Sequence, residues 1–224
     1  MQSEKWSPDL GIIGTGRMGS RLAAMFARAG RNVILGSRDP DRARAIVEEL
    51  DIPTLRAGRN AEAFAAPALL PAVFIRDGLF DLLDCHCSRL RGKLLIDISN
   101  PFNADYSDFV TPWDTSGAEQ LQRRFPQARV VGAFKNVFWE VFDQPDFGGT
   151  LSDVLMTGND ETAKAQFLEL AAGTPFRYLD AGPLENSRTV ERLTFITSSL
   201  GQQLGSYPRM NWRLLTQPAQ AQAA

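Results

Sequence analysis

The stretch that most constrains this chain is "LGIIGTGRMGSRLAAMFARAG", residues 10–30, where an apolar run meets a glycine cluster and passes straight into an amphipathic segment. A strand that ends on G-x-G-x-x-G and continues as a helix is a cradle for phosphate. Gly14 allows the tight turn, Gly16 lets a pyrophosphate approach the backbone, and Gly19 lets helix and strand pack closely. The N–H groups and partial positive charge of the helix start face the same point. Leu22, Met25, Phe26 and Ala29 form one apolar stripe, and Gly30 stops it. That stripe needs a sheet to pack on.

The sheet is legible in apolar runs bounded by turn residues, at 9–14, 32–36, 53–57, 68–74, 93–99, 129–134, 152–158 and 175–181. Several are continuous, as strands covered on both faces are. Helical patterns lie between them, at 19–30, from Asp39 as cap and Pro40 in the first turn to Leu50, and at 160–171. Alternating strands and helices predict a parallel sheet with right-handed crossovers. The fold class is therefore α/β, a Rossmann-type doubly wound, mostly parallel sheet with a small C-terminal helical extension. Residues 1–180 are expected to form the nucleotide-binding domain. Residues 181–216 form the extension that completes the site or a homodimer, and 217–224 a disordered tail with nothing to bury. In the extension, the segment 185–205 carries Val190, Leu193, Thr194, Ile196, Thr197 and Leu200 on one broad apolar face.

Composition excludes several classes of partner. Hydrophobic residues are 44% and charged residues 22% of the chain, which excludes wholesale disorder, and a net charge of −2 excludes nucleic acid as the main partner. Lys5, Lys93, Lys135 and Lys164 are the only lysines among 24 basic residues, so any small anion would meet guanidinium forks. No stretch approaches the span of a bilayer, so no membrane partner is expected and the protein reads as cytoplasmic. The two cysteines flank the single histidine in Cys85-His86-Cys87, too close for an ordinary structural disulfide and short of ligands for a metal site.

The second strand fixes the nucleotide further. An NAD-preferring protein offers a carboxylate where this chain has Ser37 and Arg38, with Arg42 one helical turn beyond. A hydroxyl, two guanidiniums and a helix start all attract a 2′-phosphate. NADP(H) is the expected cofactor.

With these residues in hand the chain resembles the F420-dependent NADP oxidoreductase family, and also the oxidoreductase domain of the STEAP metalloreductases. The likeness spans roughly 9–200 and rests on "GIIGTGRMGSRLA", "GSR" at 36–38, "LIDISNPFN" at 95–103, "RVVGAFKNV" at 129–137, "TGNDETAK" at 157–164 and "LDAGPLENSRTVERL" at 179–193. It implies NADP held by Thr15, Gly16, Arg17 and Met18 at the phosphates. It also implies Val73 and Phe74 near the nicotinamide half, with Asn100, Pro101 and Ala133 around its pocket. From the match at 182–188 it implies Leu184, Asn186 and Arg188 near the acceptor, Arg188 receiving an anionic group. One departure stands out: where relatives carry an A-V-P type segment after the fourth strand, this chain reads "LLPAVFIRDG", with Phe74 in place of the proline.

In such a family hydride passes directly between nicotinamide and the ring of a second redox cofactor, F420 or a flavin, so no protein acid or base is required. Two rival readings remain. A redox sensor would bind NADP(H) without turning it over and could fill the space over the nicotinamide with Phe74, Phe102, Phe134 or Trp139. A reductase of an imine or carbonyl would need a proton donor, for which Lys135, Asn136 or a tyrosine are the candidates, although Lys135 follows a strand directly and reads better as a turn residue.

Overall fold

Strands apolar on both faces demand helices on both sides, and the chain supplies them. The computed structural model of the chain describes residues 6–216. The tail expected at 217–224 lies outside the described residues. Eight strands form one sheet in the order 3-2-1-4-5-6-7-8: β1 (Leu10–Ile13), β2 (Val33–Ser37), β3 (Leu55–Arg59), β4 (Ala68–Pro71), β5 (Leu94–Asp97), β6 (Arg129–Gly132), β7 (Asp153–Gly158) and β8 (Arg177–Asp180). Neighbours from β3 through β6 pair in parallel. β7 runs antiparallel to β6 and carries β8 parallel to itself, so the sheet is mostly parallel, as expected. The link between β6 and β7 holds only a single 3₁₀ turn, Trp139–Phe142, so no helix carries the chain back and it returns in the opposite direction.

Side chains alternate across the strands into two cores. Ile12, Leu35 and Ile96 face α1 (Arg17–Arg28) and α6 (Glu161–Ala171), together with Phe26 and Phe167. Ile13, Ile34, Leu69 and Leu95 face the other side, covered by α3 (Asn60–Ala63), α4 (Leu79–Asp84) and α5 (Gly117–Arg124) with Leu83, Leu121 and Phe125. These three helices are short, and apolar periodicity does not reveal elements of one or two turns. α2 (Pro40–Leu50) is capped by Asp39, whose carboxylate accepts from the Asp41 and Arg42 amides, and has Pro40 in its first turn.

The last helix, α7 (Ser187–Gln203), turns only part of its expected apolar face inward. Val190, Glu191, Thr194, Thr197 and Gly201 are buried, whereas Ile196 and Leu200 are exposed. Its inner stripe is polar because it lies beside strand ends and helix starts, which offer backbone groups, rather than on a sheet face. Residues 211–214 then return to β7. The Asp153 amide donates to the Trp212 carbonyl at 2.9 Å, the Leu214 amide to Asp153 Oδ2 at 2.7 Å, and the Trp212 indole N–H to Thr197 Oγ1 at 2.6 Å. Cys85 and Cys87 are free and exposed, and no cluster of metal-ligating side chains occurs among the described residues.

Candidate active site

The sheet order reverses between β1 and β4, and a cleft opens at the carboxyl ends of the strands there, where ligands bind in doubly wound folds. At one end lies the glycine turn. Gly14 has φ +115°, and a Cβ on it would stand 2.7 Å from the Ala72 carbonyl oxygen. Gly16 is the cap residue of α1, no side chain satisfies the first N–H groups of that helix, and the space beside the Gly16 Cα is open. Gly19 is buried against the Gly14 backbone, which leaves no room for a side chain.

Ser37 and the two arginines lie at the neighbouring strand end. Ser37 is buried, and its hydroxyl accepts from the Asp39 amide at 3.1 Å. Arg38 and Arg42 are exposed, and Arg42 folds back to donate to the Thr15 carbonyl at 3.3 Å, so it lies against the glycine turn. Among the described residues, none of Arg17, Arg38 and Arg42 has a carboxylate partner. Arg42 thus brings one guanidinium without a carboxylate partner among the described residues to an uncapped helix start, and Arg38 is exposed at the neighbouring strand end.

From there the cleft runs on as a slot of about 390 Å³. Met18, Ala72, Val73, Ile98, Ser99 and Asn100 contribute to its lining at the strand ends. Phe74, Phe102 and Tyr106 form one aromatic group, with ring centroids 5.3–6.4 Å apart, and Phe138, Trp139 and Tyr207 form another, 5.8–6.2 Å apart. α7 adds Thr194, Phe195 and Ser198. The Arg76 guanidinium lies 4.4 Å from the Phe74 and Tyr106 rings and donates to the Phe102 and Asn103 carbonyls. Among the described residues lining the slot, Arg17 is the only charged side chain; it lies 4.3 Å over Trp139. Phe134 adopts φ +57°, strained for a residue with a side chain. Its ring turns into the core against Phe26, Phe167 and Phe176 instead of filling the slot.

The model of the family described as "NADP oxidoreductase coenzyme F420-dependent" matches residues 9–101. The F420-dependent NADP reductase of Methanocaldococcus jannaschii is 31% identical over 198 residues, which are 81% of this chain and 86% of that protein. The chain belongs to the F420-dependent NADP oxidoreductase family. The metalloreductase STEAP3 of Rattus norvegicus is 30% identical over 190 residues, 84% of this chain, but the chain spans only 37% of that longer protein. A solved Arthrobacter sp. FB24 structure assigned as an F420-dependent NADP reductase superposes with a TM-score of 0.77 at 26% identity, covering 88% of this chain and 95% of that one.

The residues present fit the NADP(H) of an F420-dependent NADP oxidoreductase. The open cradle at Gly16 and the unpaired arginines are anion sites by construction. Asn100 adds an orphaned atom: its Nδ2 donates to the Lys135 carbonyl at 2.9 Å, and its buried Oδ1 has no partner among the described residues. Of the residues expected about the nicotinamide, Val73, Phe74 and Asn100 line the slot, whereas Pro101 and Ala133 are buried outside its lining.

Other expected site residues lie elsewhere. Leu184 is buried in the second core, Asn186 donates to the Ala181 carbonyl, and none of Leu184, Asn186 and Arg188 lines the slot. Arg188 is clamped by Glu119 at 2.6 Å and Glu185 at 3.0 Å, and Glu119 holds its pKa above the usual arginine value. Neither catalytic candidate, Lys135 or Asn136, lines the slot. Lys135 is 1% exposed, with its ammonium 2.7 Å from Asp97 Oδ2, 2.9 Å from Glu191 Oε1 and 2.5 Å from the Ser99 carbonyl. Burial works against that charge, but the two carboxylates outweigh it and raise the lysine pKa. Asn136 is fully buried and imitates a strand, its Nδ2 donating to the Asp153 carbonyl and its Oδ1 accepting from the Leu155 amide. Glu191, Phe195 and Tyr207 were not singled out in the sequence: Glu191 lies within the matched stretch 179–193 but carries no sign there of being buried, and the two aromatics follow it outside any motif.

Proposed function

We propose that the chain passes hydride directly between NADP(H) and a second, planar redox cofactor, F420 or a flavin, seated between the aromatic groups of the slot. In this reading Gly14, Thr15, Gly16, Arg17, Met18 and Gly19 hold the pyrophosphate, Ser37, Arg38 and Arg42 take the adenosine 2′-phosphate, and Val73, Phe74 and Asn100 frame the nicotinamide. NADPH supplies the hydride, and the protein aligns two rings and excludes water. The acceptor side falls to Phe102, Tyr106, Phe195 and Tyr207 rather than to the segment 184–188.

One observation carries the reading: the slot is walled by rings and lined by no carboxylate, lysine or histidine among the described residues. Hydride exchange between two conjugated rings takes its proton from solvent, whereas imine or carbonyl reduction needs a placed donor, for which the slot offers only the Tyr106 and Tyr207 hydroxyls of its aromatic walls. The open volume also favours an enzyme over a sensor, because Phe74, Phe102 and Trp139 border the slot without closing it. The test is to mix protein and NADPH with F420, FMN, FAD, ferric chelates and small imines while following nicotinamide oxidation. Turnover is expected with F420 or a flavin; turnover with imines alone would overturn the reading.

The family reading extends to assembly and compartment. Ile196, Leu200 and Leu204, at 53%, 38% and 76% exposure, form a stripe on α7 and its end that suits a second copy of this chain. Light scattering should give twice the chain mass and, for Leu200→Asp, the monomer mass. Two free exposed cysteines and no helix long and apolar enough to cross a membrane among the described residues support a cytoplasmic enzyme.

A further inference from the structure

Behind the slot wall lies an ionic cluster that the hydride reaction does not consume. Asp97 Oδ1 accepts from the Ser99 amide and hydroxyl, and its Oδ2 from Lys135. Glu191 Oε2 accepts from the Gly117 amide, and its Oε1 from the Ala118 amide and Lys135. Burial and the neighbouring Asp97 charge raise the Glu191 pKa, but the groups hydrogen-bonded to both carboxylates are donors, so each site is built for the ionised form. Lys135 in turn faces three acceptors: Asp97, Glu191 and the Ser99 carbonyl. Two carboxylates against one ammonium leave a net charge of −1, with Asp97, Lys135 and Glu191 at most 2% exposed.

This charge is bonded to the wall itself. Ser99, which accepts from Lys135, lines the slot, and so does Asn100, held by the Lys135 carbonyl. Glu191 lies one helical turn before Thr194 and Phe195, which line the same slot. Burial keeps solvent from screening the cluster, so its field reaches the slot at low effective dielectric.

We infer that the Asp97–Lys135–Glu191 cluster acts on the bound nicotinamide as a fixed negative charge, favouring the oxidised, cationic ring and so biasing the protein toward donating hydride from NADPH. The inference rests on the NADP(H) reading above. When NADPH gives up its hydride, two electrons and one proton pass to the planar acceptor and the nicotinamide ring becomes positive. A negative charge behind the ring stabilises that product and leaves the neutral reduced ring almost untouched. These three are positioning residues, for none lines the slot.

The test measures Kd for NADP⁺ and for NADPH separately by calorimetry, without turnover. Glu191→Gln neutralises the cluster and should raise the ratio of the NADP⁺ Kd to the NADPH Kd by roughly five- to thirty-fold, the effect of one unit charge about 8–17 Å from the ring at an effective dielectric of about 20. Asp97→Asn neutralises it from the other side and should move the ratio the same way, should Glu191→Gln fail to fold. The double variant Lys135→Met/Glu191→Gln carries −1 again and should return the ratio close to the wild-type value despite its altered packing. A merely structural role would change both constants together. A ratio unmoved by either neutralising variant overturns the inference and leaves the NADP(H) reading intact, whereas failure of the wild-type protein to bind either nucleotide overturns both.

Discussion

The two ends of the cleft use positive charge in opposite ways. At the glycine turn, Arg17, Arg38 and Arg42 have no carboxylate partner among the described residues, and Arg42 gives its guanidinium only to the Thr15 carbonyl. Around the aromatic end, Lys135 and Arg192 are tied to carboxylates, and Arg76 spends its guanidinium on two carbonyls and two rings. Charge at the first end is left for a ligand, and charge at the second holds the scaffold together. The contrast predicts that removing a cation costs binding at one end and folding at the other.

The largest effect belongs to Lys135→Met. It leaves Asp97 and Glu191 buried against each other with no counter-charge, which typically costs about 3–5 kcal/mol. Urea denaturation should show the midpoint falling with an unchanged slope, and the double variant with Glu191→Gln should recover part of the loss. A Lys135→Met protein of wild-type stability would break the comparison, since this lysine would then be no structural ion. The sign of its pH dependence follows from its raised pKa. Its contribution is complete below the ordinary lysine value of ~10.4 and fades as pH rises through the higher folded value.

Next comes Arg38→Asp, at the other end. A charged hydrogen bond to a 2′-phosphate is lost and a repelling carboxylate put in its place, so the NADPH Kd should rise by about 10- to 100-fold while the NADH Kd moves little. The melting temperature should stay within the error of the wild type, because Arg38 is exposed and supports nothing. Equal loss of NADPH and NADH affinity would mean that the 2′-phosphate is read elsewhere.

The same contrast decides what was legible in the sequence. Residues 10–42 could be read position by position, because glycine spacing, the Asp39 cap and Pro40 in the first turn are local devices whose purpose is fixed within one βαβ unit. Strand runs could be placed for the same reason, to within three residues at either end. The acceptor end is assembled from residues far apart in the chain: Phe74, Phe102, Tyr106, Trp139, Phe195 and Tyr207 meet only through topology. Resemblance directed attention to Leu184, Asn186 and Arg188, yet a polar helix start reads alike whether it faces a ligand or, as Arg188 does, a buried-side glutamate. Glu191 was hidden among apolar neighbours, since a hydrophobic stripe on α7 has no means of announcing an acid on its inner face.

The smallest predicted effect concerns the strap at 211–214, which ties Tyr207 and the end of α7 back to β7. Its anchor is Asp153, where burial raises the carboxyl but the Arg177 fork, the Leu214 amide and the Arg213 charge outweigh it, leaving the pKa below the usual aspartate value. A depressed carboxylate stabilises at pH above its unfolded value of ~3.9 and loses that contribution as pH falls through the lower folded value. Acidification below about pH 4 should therefore release the strap, and Asp153→Asn should weaken it at neutral pH. The Trp212 indole, bonded to Thr197, is the natural reporter: freed of that bond, its fluorescence should shift to the red and its quenching by iodide rise. Because the strap leads to Tyr207 at the aromatic end, Asp153→Asn should raise the KM for the acceptor about two- to five-fold while leaving the NADPH Kd unchanged, an energy of under about 1 kcal/mol. If NADPH affinity fell in step with acceptor KM, the two ends of the cleft would be one mechanical unit and the division drawn here between ligand charge and scaffold charge would have to be abandoned.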